Sequence, residues 1–314
     1  MWEGPSPYHE GELAVQELLG VRERVDGTGR RMIRPILIDQ HREFYGELPF
    51  LVLGSVDVEG RPWASIVTGS PGFLSTPYEG TLDIAAVPVE GDPLAENLAL
   101  EADIGVLGIQ LETRRRNRMS GRVKALKDDG FALDVLQSFG NCPQYIQTRT
   151  VALDDAAMPI VRSGDRFDDT VQSVLTRSDT LFIASTYRAN AEDVTHGTDV
   201  SHRGGKPGFV KIDDNRTLTI PDFRGNNAFN TIGNLHVNPK AGFLFPDFQT
   251  RTMVTMTGKA EMIWDGPEVD AFEGAQRLIR FRADLVHTIE DGLPLTTEFG
   301  EYSRQLERTG EWSA

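Results

Sequence analysis

The chain has a single cysteine, Cys142, among its 314 residues. That excludes an internal disulfide and any metal site built from several thiolates. No run approaches the ~18 consecutive apolar residues of a spanning helix, so no transmembrane helix is expected. Positive charge is scarce as well: 32 Lys and Arg stand against 47 Asp and Glu, a formal net charge of −15. A nucleic acid or an anionic membrane requires a positive field, so neither is expected as a partner. The histidines (His9, His41, His196, His202, His236 and His287) show no HxH or HExxH spacing, which argues against a zinc enzyme. GxSxG, Walker-type and GxGxxG motifs are missing too. The start, MWEGPSPYHEGELAVQELLG, has no basic segment followed by an apolar stretch, so a cytoplasmic protein is expected.

What the chain does have is a long internal repeat. HRGGKPGFVKI, TLTIPDFRGNNAFNTIGNLHVNPKAGFLF and TRTMVTMTGKAEM follow one another after Ser201. A degraded copy precedes them as VEGRPWASIVT, TLDIAAVPVEGDPLAENLALEADIGVLGI and RRRNRMSGRVKAL. Gly105 and Gly242 open matching apolar runs, and Gly121 and Gly258 close matching strands. Both pairs stand about 137 positions apart, far too long for a solenoid or propeller repeat. Duplication of a whole small β domain follows.

Periodicity and turn residues predict helices over 9–24 and 38–48, then strands near 50–57 and 62–69 around an EGRP turn. A strand near 81–87 precedes a helix in DPLAENLALEAD, with Asp92 as N-cap and Pro93 at the first helical position. Strands near 104–111 and 116–126 and the strand FALDVLQSF complete the first copy. Residues 152–169, aperiodic and rich in Asp, read as the crossing between halves. Asp168 or Asp169 caps a helix through Leu175. In the second copy LFIAST matches LVLGSV, and YRANAEDVTHGTDVSHRGGK lengthens the first hairpin. Strands follow near 208–213 and 216–221, a helix from Asn227 to Leu235, and strands near 241–246 and 251–263. A helix near 267–275 and an irregular end close the chain. This order predicts a mainly β fold with peripheral helices (α+β), each copy a small closed or half-closed barrel. The expected domains are 1–151, with the N-terminal helices and the degenerate half, and 152–314.

The PDFRGNN segment joins a strand to a helix start. Free N–H groups there favour an anion, Arg224 adds a cation, Gly225 lets the backbone come close, and Asn226 and Asn227 donate and accept hydrogen bonds. An Asn-capped helix after an ordinary turn is the plainer alternative. The corresponding PVEGDPLAEN of the first copy has acids where Arg224 and Asn226 stand, and should repel a phosphate. In RGGKPGFV, Arg203 and Lys206 precede a strand carrying Phe209, Val210 and Lys211 on which a planar ring could lie. Solvated basic residues on a glycine hairpin are the alternative. RRRNRMSGRVK clusters Arg114, Arg115, Arg116, Arg118, Arg122 and Lys124. Alternation places Arg116, Arg118, Arg122 and Lys124 on one face, read first as a solvated face and second as a wall facing an anion across the interface between halves. Arg251 holds the related strand entrance in the second copy. Cys142, in FGNCPQYIQ, reads as a small turn residue or a mobile thiol.

These residues resemble the pyridoxamine 5′-phosphate oxidase-like group, the flavin-binding split-barrel proteins, most clearly over 181–263 and more weakly over 50–126. The resemblance implies two tandem split β-barrel halves forming a pseudo-dimer, with FMN as cofactor. It puts Lys206, Phe209, Val210 and Lys211 near the flavin ring or ribityl chain, with Arg203 at the head of that segment. It puts Asp222, Arg224, Gly225, Asn226 and Asn227 near the ribityl and phosphate, and Arg251 nearby. The oxidase itself has paired basic residues where Asn226 and Asn227 stand, and its substrate-phosphate and pyridine-ring residues have no counterpart here. Vitamin B6 oxidation is therefore not the expected reaction. The tandem layout is similar to a longer branch, some members of which join or pair with ferredoxin-type reductases. The implied function is an FMN-dependent oxidoreductase acting on a small molecule or redox partner, and family members usually form homodimers. The alternatives are a heme-binding or heme-degrading protein, with His202, His236 or His287 as axial ligand, and a non-catalytic flavin carrier.

Overall fold

A seven-stranded and an eight-stranded antiparallel sheet carry the chain, and seven strands of each follow the same order. The computed structural model describes residues 2, 4–154 and 158–312. Three N-terminal helices come first: α1 (Glu10–Leu18), α2 (Arg22–Met32) and α3 (Asp39–Gly46). The first sheet holds β1 (Phe50–Val56), β2 (Pro62–Thr68), β3 (Leu74–Ser75), β4 (Thr81–Ile84), β5 (Asp103–Gln110), β6 (Arg115–Lys127) and β7 (Gly130–Gly140), with α4 (Leu94–Asn97) between β4 and β5. β8 (Arg149–Leu153), β9 (Ile160–Gly164) and α5 (Asp169–Arg177) lead onward. The second sheet holds β10 (Thr180–Tyr187), β11 (Gly197–Gly204), β12 (Lys211–Ile212), β13 (Thr217–Phe223), β14 (Lys240–Asp247), β15 (Thr252–Ile263) and β16 (Ala275–Glu290). α6 (Asn230–Val237) lies between β13 and β14, α7 (Pro267–Asp270) before β16, and β17 (Leu295–Phe299) after it. The first sheet runs β2-β1-β5-β6-β7-β4-β3 and the second β11-β10-β14-β15-β16-β13-β12, with β9 added beside β16 and β17 paired to β8. Each strand of the first sheet has its counterpart in the second, which is the expected duplication.

Why the leading strand of each half is apolar throughout follows from what covers it. In β1, Leu51 and Leu53 enter the first barrel's own core, while Phe50 and Val52 enter a separate cluster between the halves. β10 does the same, with Leu181 and Ile183 inward and Phe182 and Ala184 at the interface. A strand covered on both faces reads as a continuous apolar run rather than an alternation. Each such buried side chain contributes on the order of 1.5–3 kcal/mol, so the interface belongs to the fold.

The two matched glycine pairs have matched causes. A Cβ at Gly105 would meet the backbone of Asp199 at 2.7 Å, and one at Gly242 would meet the carbonyl oxygen of Pro62 at 2.4 Å. Each half thus presses a bare backbone strand against the other's hairpin. Both sheets also shift register at a matched place, Ser120/Gly121 and Thr257/Gly258. There a Cβ at Gly121 would strike the Asp134 oxygen, and one at Gly258 the Arg282 oxygen.

Several elements differ from the sequence expectation. The helix expected over 9–24 is two helices, because Gly20 turns the chain at φ +66°. α2 was not foreseen: RERVDGTGRRM is polar on most sides and carries two glycines. The helix at DPLAENLALEAD is one turn. The second-copy strand expected near 208–213 is only Lys211–Ile212, and the hairpin partner is β11, so His202–Gly204 of the lengthened hairpin is strand. The helix expected from Asn227 starts at Asn230. Beyond α7, the expected helix and irregular end conceal β16, whose alternation of Phe281 and Ala283 with Arg280, Arg282 and Asp284 was the overlooked signal. The crossing between halves carries β8 and β9, and its residues 155–157 lie outside those described.

Candidate functional site

A cleft of about 90 Å³ lies where the face of β6 meets β11, β13 and the start of α6. The first half contributes Arg116 and Arg118. The second contributes Ser201, His202 and Arg203 from β11, Asp222 from β13, and the Gly225–Asn227 loop. β6 delivers its arginines because Met119 and Val123 on its other face fill the first barrel core, turning Arg116 and Arg118 toward the neighbouring half. Arg122, on the same face, is taken up by Asp103 at 3.1 Å, and Lys124, farther out, by Asp134 at 2.8 Å. The basic strand is therefore part wall and part solvated edge.

Buried cations dominate this place. Arg118 is buried, ion-pairs with Asp199 and donates to the side-chain oxygen Oδ1 of Asn230 at 3.1 Å. Arg116 donates Nε to the Cys142 carbonyl and has no carboxylate partner among the described residues. Arg203 Nε lies 3.3 Å from Asp222, and Arg277 Nη1 lies 3.6 Å from the same carboxylate. Burial, then mutual repulsion, lowers the arginines: Arg118 to about 9 and Arg116 to about 10. Arg116 and Arg118 both remain charged at neutral pH. Glu12 of α1 is pushed up to about 8 by burial, although the His9 N–H and Asn230 hydrogen-bond to it. Four guanidinium groups thus face two carboxylates, Asp199 and Asp222. The excess of two positive charges equals what a phosphate monoester dianion would neutralise.

The hydrogen-bonding inventory points the same way. Arg118 Nε, Arg203 Nε, Arg277 Nη1 and His202 Nε2 are buried without a hydrogen-bond acceptor. Arg116 Nη1 lies 3.5 Å from His202 Nδ1, so Nδ1 accepts and Nε2 carries the proton. Burial and the nearby arginines hold the imidazole well below its usual pKa, hence neutral. All four are N–H donors that make no hydrogen bond, although those of Arg203 and Arg277 ion-pair with Asp222, and buried donors without hydrogen bonds are rare. The site fits an oxyanion.

Of the residues expected from sequence, Arg203, Asp222, Gly225, Asn226 and Asn227 line this cleft. Asn226 is already engaged, donating to Asn141 at 3.0 Å and accepting from the Ala228 N–H at 3.0 Å. The others lie elsewhere. Phe209 and Val210 are in the core of the second barrel, because the Gly204–Gly205 turn folds them inward, and no planar ring can rest on them. Lys206 reaches the Thr309 carbonyl, and Lys211 pairs with Asp213 beside Trp312. Arg224 is exposed and outside the cleft. Arg251 is held by Asp154 and Asp291. Sequence reasoning missed Arg277 and Glu12 as participants and ranked Arg116 and Arg118 second. Cys142 is half-buried beside Arg116.

The family model for pyridoxamine 5′-phosphate oxidase matches residues 167–297. A search of curated proteins gives no significant match. Among solved structures, a pyridoxamine 5′-phosphate oxidase-related, FMN-binding protein of Nostoc punctiforme is 10% identical, covering 43% of this chain and 96% of its own, at a TM-score of 0.26. HutZ, the heme storage protein of Vibrio cholerae, is 18% identical over 43% of this chain and 97% of its own, at 0.24. HupZ of group A Streptococcus is 10% identical over 43% and 97%, at 0.30. Likenesses this remote decide nothing about the ligand. The family match thus lies within the second half of this chain, which is similar to pyridoxamine 5′-phosphate oxidase over those residues.

Proposed function

We propose that this chain is an FMN-binding flavoprotein working as an oxidoreductase, with the cofactor phosphate held in the cleft between the halves. The observation that carries this is the group of buried arginine and histidine N–H donors that make no hydrogen bond, with two positive charges in excess. Arg116, Arg118, Arg203 and the His202 Nε2–H would hold the phosphate, joined by Asn227 and the free N–H groups at the start of α6. Bound flavin supplies the electron or hydride transfer, so the protein needs to bind, orient and shield it. A small molecule or a redox partner, such as a ferredoxin-type reductase, would exchange the electrons.

The test is the absorption spectrum of the purified protein, with mass spectrometry of the released ligand. Flavin bands and one FMN per chain are expected, and reduction by NADH or NADPH, alone or with a reductase, separates an oxidoreductase from a carrier. A colourless protein that takes up no FMN on incubation sinks the proposal. Hemin addition separates the heme alternative: His202 is the one histidine lining this cleft among the described residues, but its protonated Nε2 suits an oxyanion better than iron. No Soret band lost in His202→Ala is expected.

A further inference from the structure

A second cavity, of about 600 Å³, adjoins the cleft and shares Arg116, Asn141 and Asn226 with it. Its far wall is α2, which lies outside the family match at 167–297 and so is not supplied by the barrel. Two features of the lining set what it can hold. One side is apolar, formed by Tyr8, Val25, Ile33, Phe139 and Ala228. The other carries Arg24, Arg114, Arg115 and Arg116, and no Asp or Glu lines the cavity at all. In a chain with fifteen more acidic than basic residues, four arginines without a lining carboxylate make a local positive field.

The pairing of these arginines sharpens the point. Arg114 reaches the Ile146 carbonyl and Glu301, outside the cavity. Arg115 lies over the Phe44 ring, 5.1 Å from its centre, and Arg24 is exposed; neither has an ion-pair partner among the described residues. A phosphate in the neighbouring cleft would answer Arg116 but neither of these two. His41, buried with Nδ1 unpaired, is a further polar group in the same lining.

We propose that this cavity binds an organic acid with an apolar body, such as an aromatic carboxylate. The body would lie against Tyr8, Val25, Ile33 and Phe139, and the acid group would be drawn to the Arg24–Arg115–Arg116 side. An apolar pocket with a few convergent charged groups is the usual form of a small-molecule site, and a carboxylate is matched by guanidinium geometry. Only in naming this ligand the substrate does the proposal rest on the flavin assignment, since the shared Arg116 and Asn141 put the two ligands side by side.

The probes are 2-naphthoate and neutral 2-naphthamide, titrated by calorimetry into the purified protein with and without FMN. Naphthoate should bind about tenfold tighter than the amide, the difference a charged hydrogen-bonded contact makes. Thr28→Trp, which fills the cavity from the α2 side, should abolish binding while circular dichroism stays unchanged. Arg24→Glu, at an exposed position, should weaken naphthoate about tenfold and leave the amide alone. Equal affinity for acid and amide overturns the proposal, as does undiminished binding in folded Thr28→Trp. Displacement of FMN by naphthoate also overturns it, because the cavity would then be the cofactor's own seat. A protein that binds naphthoate with this preference but takes no FMN supports the site and sinks the flavin assignment alone.

Discussion

The duplication builds the same crossing twice, and the two crossings hold opposite contents. Strand register gives the correspondence. Gly54 pairs with Ala64 and Gly105 in the first sheet, and Ala184 pairs with Val200 and Gly242 in the second. Thus His202 corresponds to Ile66, Arg203 to Val67 and Asp199 to Trp63. The shared glycine offset matches Arg116 to Met253 and Arg118 to Thr255. Where β6 faces β11 the side chains are charged and short of acceptors. Where β15 faces β2, Ile66 and Met253 join the interface core, and Thr255 donates to the Ala64 carbonyl at 2.9 Å. Trp63 donates to Asp57 at 2.9 Å and meets His287 edge-on. One crossing is closed and adds stability. The other keeps desolvated charge whose N–H donors make no hydrogen bond, and it tolerates that charge because the closed crossing and two barrel cores support the fold.

The largest expected effect comes from making the charged crossing imitate the closed one. Arg116→Met with Arg118→Thr should weaken FMN binding about a thousandfold, since two charged hydrogen-bonding groups are lost at roughly 1.5–3 kcal/mol each. Flavin fluorescence titration measures this, and a loss below about tenfold would break the contrast drawn between the crossings. The converse change, Met253→Arg, places an unpaired cation in the closed crossing. It should cost about 3–5 kcal/mol, read from the urea midpoint, and should create no second flavin site.

A smaller effect is expected from pH. The folded protein holds Glu12 up at about 8, above the ordinary value of 4.5, so the folded state binds the proton more tightly than the unfolded state. Its contribution to stability is complete below about pH 4.5 and is lost as pH rises through about 8. Ionisation of Glu12 also removes one unit of positive excess beside the cleft, so FMN affinity should fall over the same upper range. Glu12→Gln should flatten both profiles, and an unchanged affinity profile in that variant would detach α1 from the cleft. The smallest effect belongs to Arg224→Ala. An exposed side chain outside the cleft should alter FMN affinity by no more than about twofold.

The duplicated β architecture was legible because its signals are local. Glycines recur where a backbone crosses another or a strand bulges, and apolar runs recur where a strand is covered twice. Asp168 capping α5 through the Val171 N–H at 2.8 Å was legible for the same reason. The site was only half legible. Residues around PDFRGNN announce an anion site by their type, but nothing local to RGGKPGFV says that Phe209 and Val210 turn into the core. Nor does any sequence spacing connect Arg116 with His202, which are 86 positions apart and meet only across the interface. β16 escaped notice because arginines on its outer face interrupt the apolar pattern.

The sequence by itself determined that this chain repeats one β order twice, that it is acidic, and that its second copy carries a polar turn ahead of a helix. Those properties rest on residue type, charge and short-range periodicity. Only the tertiary structure decided which cations face that turn, because a buried charge is set by what surrounds it in space. Packing β6 of one half against β11 of the other turned a basic strand into the wall of a cleft, and the same packing sealed its twin.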